Sequence, residues 1–109
     1  GQILRVTSRT EDEGRTRTYT VTGQVFFASA ERFVNAFDYK EVIEKVRIDV
    51  SRAHFWDITA VSALDKVVIK FRREATEVEV IGLNEASTTM VDKFAVHDKD
   101  GADDMLMGH

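Results

Sequence analysis

The sequence predicts an α/β domain, a four-stranded mixed sheet with its helices packed on one face. Three observations point there. Segments that alternate apolar and polar residues are interleaved with segments whose apolar residues recur every three or four positions, in the order β-β-α-β-α-β-α. The first two strands are joined by a short polar turn and so form an antiparallel hairpin, whereas strands joined through helices run parallel with right-handed crossovers. The second, third and fourth strands each keep one polar side. A strand covered on both faces would be apolar throughout, so the helices lie on one side of the sheet and the other side stays wet.

Ile3 to Thr7 reads as the first strand, and "SRTEDEGRT", Ser8 to Thr16, as a solvated turn. Arg17 to Gln24 alternates, with Tyr19 and Val21 on one side and Thr18, Thr20 and Thr22 on the other. Ser29 has the chemistry of a helix cap, and Ala30, Phe33, Val34 and Phe37 follow at helical spacing. Lys45 to Val50 is a third strand, with Val46, Ile48 and Val50 inward. Thr59 to Arg73 is the strongest helix, with Val61, Leu64, Val68 and Phe71 as its expected apolar stripe. Glu77 to Ile81 is the fourth strand, ended by Gly82, and Asn84 can cap a last helix from Glu85 to Phe94. The whole chain, 1–109, reads as one domain with its core over about 3–97; residues 98–109 read as a tail, partly disordered or tag-derived.

Composition narrows the function. Apolar residues make up 43% of the chain, enough for a compact core. The net charge of -4 and the lack of a basic stripe argue against nucleic acid as a partner. Without cysteine there is no disulfide and no thiolate metal site. No apolar run approaches the roughly 20 residues of a membrane span, and no signal peptide is visible. Opening on Gly1 rather than Met, the chain reads as a processed or excised piece.

The stretch "FWDITAVSALDKV", Phe55 to Val67, holds the most informative chemistry. Asp57 can cap the helix that follows, because its carboxylate can accept first-turn amides and its charge suits the positive helix end. Thr59 then sits near the second helical position. It is either a solvated hydroxyl beside a cap, or a phosphosite or ligand contact. A phosphate there would add about -1.5 to -2 charges, favoured by the helix terminus and resisted by Asp57. Asp49, Ser51, Asp57 and Thr59 put two carboxylates and two hydroxyls in one region, yet no nucleophile–base pair is recognisable and no catalytic residue is assigned. His54, His97 and His109 lack metal-ligand spacing, so no metal or cofactor is assigned. The GxxxxGK pattern of a phosphate loop is missing. Phe26, Phe27, Phe55 and Trp56 divide between core packing and an exposed aromatic patch. "FRRE", Phe71 to Glu74, with Lys66 and Lys70, makes a basic helix end: a solvated face, or a contact for a membrane domain or anionic lipid.

Ligands of such sheets gather beyond the carboxyl ends of the parallel strands. Here those loops are Gln24 to Ser29, Ser51 to Thr59, and Gly82 to Glu85. Thr59, Asp57, Ser29, Ser51 and Asn84 are therefore the predicted binding edge, where helix N-termini offer unpaired amides.

The pattern, with three local stretches, resembles the STAS domain, a family shared by sulfate transporters and anti-sigma-factor antagonists. "VRIDVSRAHFWDITAVSAL", Val46 to Leu64, resembles the family's central strand, loop and helix. Asp57-Ile58-Thr59-Ala60 falls where antagonists carry Asp-Ser-Ser-Gly, so Thr59 aligns with their phosphorylated serine, with Ile58 in place of the first serine and Ala60 in place of the glycine. "TGQVFFASAERF", Thr22 to Phe33, and "VIGLNEAS", Val80 to Ser87, resemble the SulP-type transporter branch. The resemblance implies a STAS-like fold. It also implies a non-catalytic regulatory domain at the cytoplasmic face of a bacterial SulP anion transporter, with the transporter's own membrane domain or a cytosolic protein as partner. Weak nucleotide binding is a recurring suggestion for the family. The alternative is a free-standing anti-sigma-factor antagonist. The sequence leaves the transported anion and the oligomeric state open.

Overall fold

The computed structural model describes residues 3–86. The elements are β1 (Arg5–Glu11), a 3-10 turn (Asp12–Gly14), β2 (Thr16–Val25), α1 (Ala30–Asn35), β3 (Lys45–Phe55), α2 (Ile58–Arg73) and β4 (Glu77–Ile81), followed by a helical turn over 83–86. They form a four-stranded sheet in the order β1-β2-β3-β4. β1 and β2 are antiparallel, while β2, β3 and β4 run parallel. The expected last helix and tail lie outside the described residues beyond position 86.

The core sits between one sheet face and the helices. Tyr19, Val21 and Val25 of β2 and Val46, Ile48 and Val50 of β3 are buried there, against Phe33 of α1 and Ala60, Ala63, Leu64, Val67 and Phe71 of α2. Phe71 meets the rings of Tyr19, Phe37 and Tyr39 at 6.0, 6.0 and 4.7 Å, so one side chain ties β2, α2 and the segment after α1 together. The opposite face is polar, as expected. Lys45 reaches Glu77 at 3.6 Å and Glu79 at 3.2 Å, and Arg47 reaches Glu79 at 3.1 Å, across the β3–β4 ladder. Hydrogen bonds from Lys45 and Arg47 hold the Glu79 carboxyl below its ordinary range.

Three expectations are corrected. β1 starts later and runs longer than Ile3 to Thr7, because an edge strand can pair through polar residues: Ser8, Arg9 and Thr10 face Tyr19, Thr18 and Arg17. The turn shrinks accordingly to Asp12, Glu13 and Gly14, all with positive φ. β3 continues past Val50 to Phe55 through an irregularity. Thr20 pairs with Asp49 but Thr22 pairs with Arg52, so β3 carries one extra residue there. That residue resets the alternation. Val46, Ile48 and Val50 face the core before it, and Ala53 and Phe55 face it afterwards. On α2 the buried stripe is Ala60, Ala63, Leu64, Val67 and Phe71. Val61 is 37% exposed, and Val68 only flanks the core. The alanines turn inward because their small side chains let the helix lie close to the sheet.

Candidate functional site

β2, β3 and β4 end on the same side of the sheet, and α1, α2 and the helical turn at 83–86 begin there. Asp57 organises this edge. Its backbone is extended (φ -151°, ψ 175°), and Oδ1 accepts from the Ala60 amide at 2.9 Å, which makes it the N-cap of α2. Oδ2 accepts from the Phe27 amide at 2.9 Å. The cap therefore also pins the β2–α1 loop. A backbone bond from the Trp56 amide to the Val25 carbonyl, 3.0 Å, fastens the same loop from the other side.

The other predicted edge residues fare differently. Ser29 is buried, and its hydroxyl accepts from the Phe26 amide at 3.1 Å and donates to the Gln24 carbonyl at 3.1 Å. It makes no side-chain cap on α1 and instead closes the loop from within. Ser51 is exposed, with its amide and hydroxyl both donating to Asp49 Oδ1, at 3.0 and 2.7 Å, within the β3 irregularity. Gly82, at φ 78°, presses its backbone on Ser51, where an added Cβ would stand 2.4 Å from the serine Cβ. Asn84 is exposed but lies inside the helical turn rather than ahead of it, since the Ala86 amide already bonds the Gly82 carbonyl at 3.3 Å. It is no N-cap.

Thr59 is exposed in the first turn of α2 and opens onto a groove of about 510 Å³ between α1 and α2. Phe27, Asn35, Ser62, Lys66 and Lys70 contribute to its lining. The aromatic residues divide: Phe55 is buried, whereas Phe27 is 72% exposed at the mouth of this groove. Ile58, beside Thr59, is 79% exposed. Two large apolar side chains thus stand in solvent on this edge, Phe27 in the same groove lining as Thr59 and Ile58 next to it in sequence. Sequence reasoning missed Ile58 as a surface feature, although its phase gave a signal. At 100° per residue it points almost opposite to Ala60, and so away from the core stripe.

The basic end of α2 carries Lys70, Arg72 and Arg73 in its last turn. Lys70 lies 5.1 Å from the Tyr39 ring centroid, and Glu74 engages Lys40 at 3.1 Å. Asp65 stands with Lys66, Lys70 and Arg73 in a shallow surface groove. Among the described residues, no group of three or more His, Asp or Glu side chains is placed to hold a metal ion, and no helix is long and apolar enough to cross a membrane.

Comparisons with known proteins agree with this geometry. The chain is 47% identical over 92 residues to YbaR of Bacillus subtilis (strain 168), a protein provisionally named a sulfate transporter. That match takes in 84% of this chain and 19% of the relative, so the chain spans about a fifth of the relative's length. The crystal structure of an antisigma-factor antagonist STAS domain from Rhodobacter sphaeroides superposes with a TM-score of 0.78 and 57% identity, covering 81% of this chain and 96% of that one. The crystal structure of Mglu, 21% identical with a TM-score of 0.54 over 66% of this chain and 18% of that one, shares the fold alone. Residues 7–102 match the STAS domain family as a whole. With the mixed sheet, the helix-opening Asp57 and that match together, the chain belongs to the STAS domain family.

Proposed function

We propose that this chain is a non-catalytic regulatory domain of a SulP-type anion transporter, lying at the cytoplasmic face of the membrane. It acts by docking its Thr59 edge on the transporter's own membrane domain or on a cytosolic protein. One observation carries the reading: exposed Thr59 shares a groove lining with exposed Phe27 and directly follows exposed Ile58 in sequence, with loop and helix start locked together by Asp57. Large apolar side chains presented in solvent are what a protein interface uses as anchors. The similarity to YbaR supports the transporter context. A phosphate or carboxylate at Thr59 would alter this surface without disturbing the core. The reading assigns no nucleotide to the groove.

The test is anion uptake by the parent transporter with Thr59→Glu, and with Lys70→Glu as the control at the other end of α2, both at matched expression. Altered uptake with Thr59→Glu alone supports the reading. Impairment with Lys70→Glu alone moves the functional surface to the basic end and overturns the assignment.

The 57% identity to an antisigma-factor antagonist favours a second reading, a free-standing antagonist switched by phosphorylation at Thr59. A complete reading frame of about this length would select it. A frame with many apolar spans upstream would select the transporter.

A further inference from the structure

β1 is an edge strand, and among the described residues nothing pairs with its outer side. Edge strands commonly carry charges that discourage an incoming strand. The charges of β1 are Arg5, Arg9 and Glu11, and their order is self-complementary. When two copies meet antiparallel about Ser8, Arg5 of each faces Glu11 of the other, Val6 faces Thr10, and Thr7 faces Arg9. Two Arg–Glu pairs form, one on each side of the dyad, and no like charges stand directly opposite, although Arg9 of each copy lies diagonal to Arg5 and Arg9 of the other. These charged residues share the helix-free face, since their β2 partners are Thr22, Thr18 and Thr16. α2 packs on β3 and β4, toward the opposite edge of the sheet. That opposite edge lacks the property. Antiparallel self-pairing of β4 about its middle residue would set Glu79 against Glu79.

We propose that β1 is a self-association edge, through which two copies of this chain join their sheets, four strands from each, about a twofold axis at Ser8. The contact is isologous, as a twofold dimer requires. It is also small: a seven-residue strand is only about 23 Å long at roughly 3.3 Å per residue, and a single strand pair of that length is a narrow contact beside the roughly 20–30 residues a side of a stable interface. Association is therefore weak for free chains and strengthens when copies are held close.

The absence of cysteine makes the test clean, because one introduced thiol is the only one present. In the dyad register, two Ser8→Cys positions lie directly opposite, at a Cα separation of about 4.5–5.5 Å, inside the disulfide range. Thr10→Cys, on the same strand face, lies four residues out of register with its copy. Under mild oxidation, Ser8→Cys is expected to cross-link at least about tenfold faster than Thr10→Cys. Sedimentation of the 109-residue chain up to millimolar concentration should show a dimer that Arg5→Glu weakens by about tenfold, as two facing pairs turn repulsive. Arg5→Glu with Glu11→Arg should restore it. Equal cross-linking at both positions, a monomer throughout, or a dimer indifferent to Arg5→Glu would overturn the proposal.

Discussion

Asp57 accepts a hydrogen bond from the amide of Phe27, thirty residues earlier in the chain, with the carboxylate oxygen that its own helix does not use. One side chain thus caps α2 and fixes the loop that presents Phe27. Asp57→Ala removes both bonds. It is expected to destabilise the domain by about 1–3 kcal/mol, a cap plus an orphaned amide. Urea unfolding gives that number, and hydrogen exchange should show the Phe27 amide losing protection. Asp57→Asn, which still offers one acceptor, should fall between the two.

Phe27→Ser and Ile58→Ser should leave stability within about 0.5 kcal/mol, because both side chains are largely in solvent. The docking role proposed above further requires both to weaken partner binding or to change uptake by the parent transporter. Stable variants with unchanged transport would remove these residues from the docking surface.

The two sides of α2 should separate cleanly. Phe71→Ala empties a site that three aromatic rings share and should cost about 3–5 kcal/mol. Val61→Ala, at a position 37% exposed, should cost about 0.5 kcal/mol or less. Thermal or urea unfolding of both variants decides it.

Gly82→Ala sets a methyl group 2.4 Å from the Ser51 Cβ and places alanine at φ 78°. A loss of about 1–3 kcal/mol follows from the strained backbone. Adding Ser51→Gly should recover only part of it, since the Ser51 Cα and N stand 2.7 and 2.8 Å from the same point.

The wet face of the sheet sets a pH dependence. Lys45 and Arg47 hold the Glu79 carboxyl below its ordinary value of 4.5, so its pairing stabilises the fold above that pH. The contribution fades as pH falls from there through the lowered value. Wild type and Glu79→Gln should therefore differ in urea midpoint at pH 7 and converge at strongly acid pH.

The period-two runs around Tyr19, Ile48 and Val78 and the helical runs from Ala30 and Thr59 were enough to determine the element order through β4, the hairpin, the parallel crossovers and the single wet face. These follow from local alternation and from burial of one side. Asp57 as a cap was equally legible, because capping reaches only a few residues along the chain. Tertiary structure alone decided where β3 ends, since its extra residue breaks the alternation that a reader follows. It decided that Ser29 is buried rather than presented, that Asn84 lies inside a helical turn, and that Ala60 and Val67 outrank Val61 in the core. It also decided that Asp57 reaches Phe27. Each of these depends on how closely two distant segments approach, a property of packed volume that no one-dimensional period encodes.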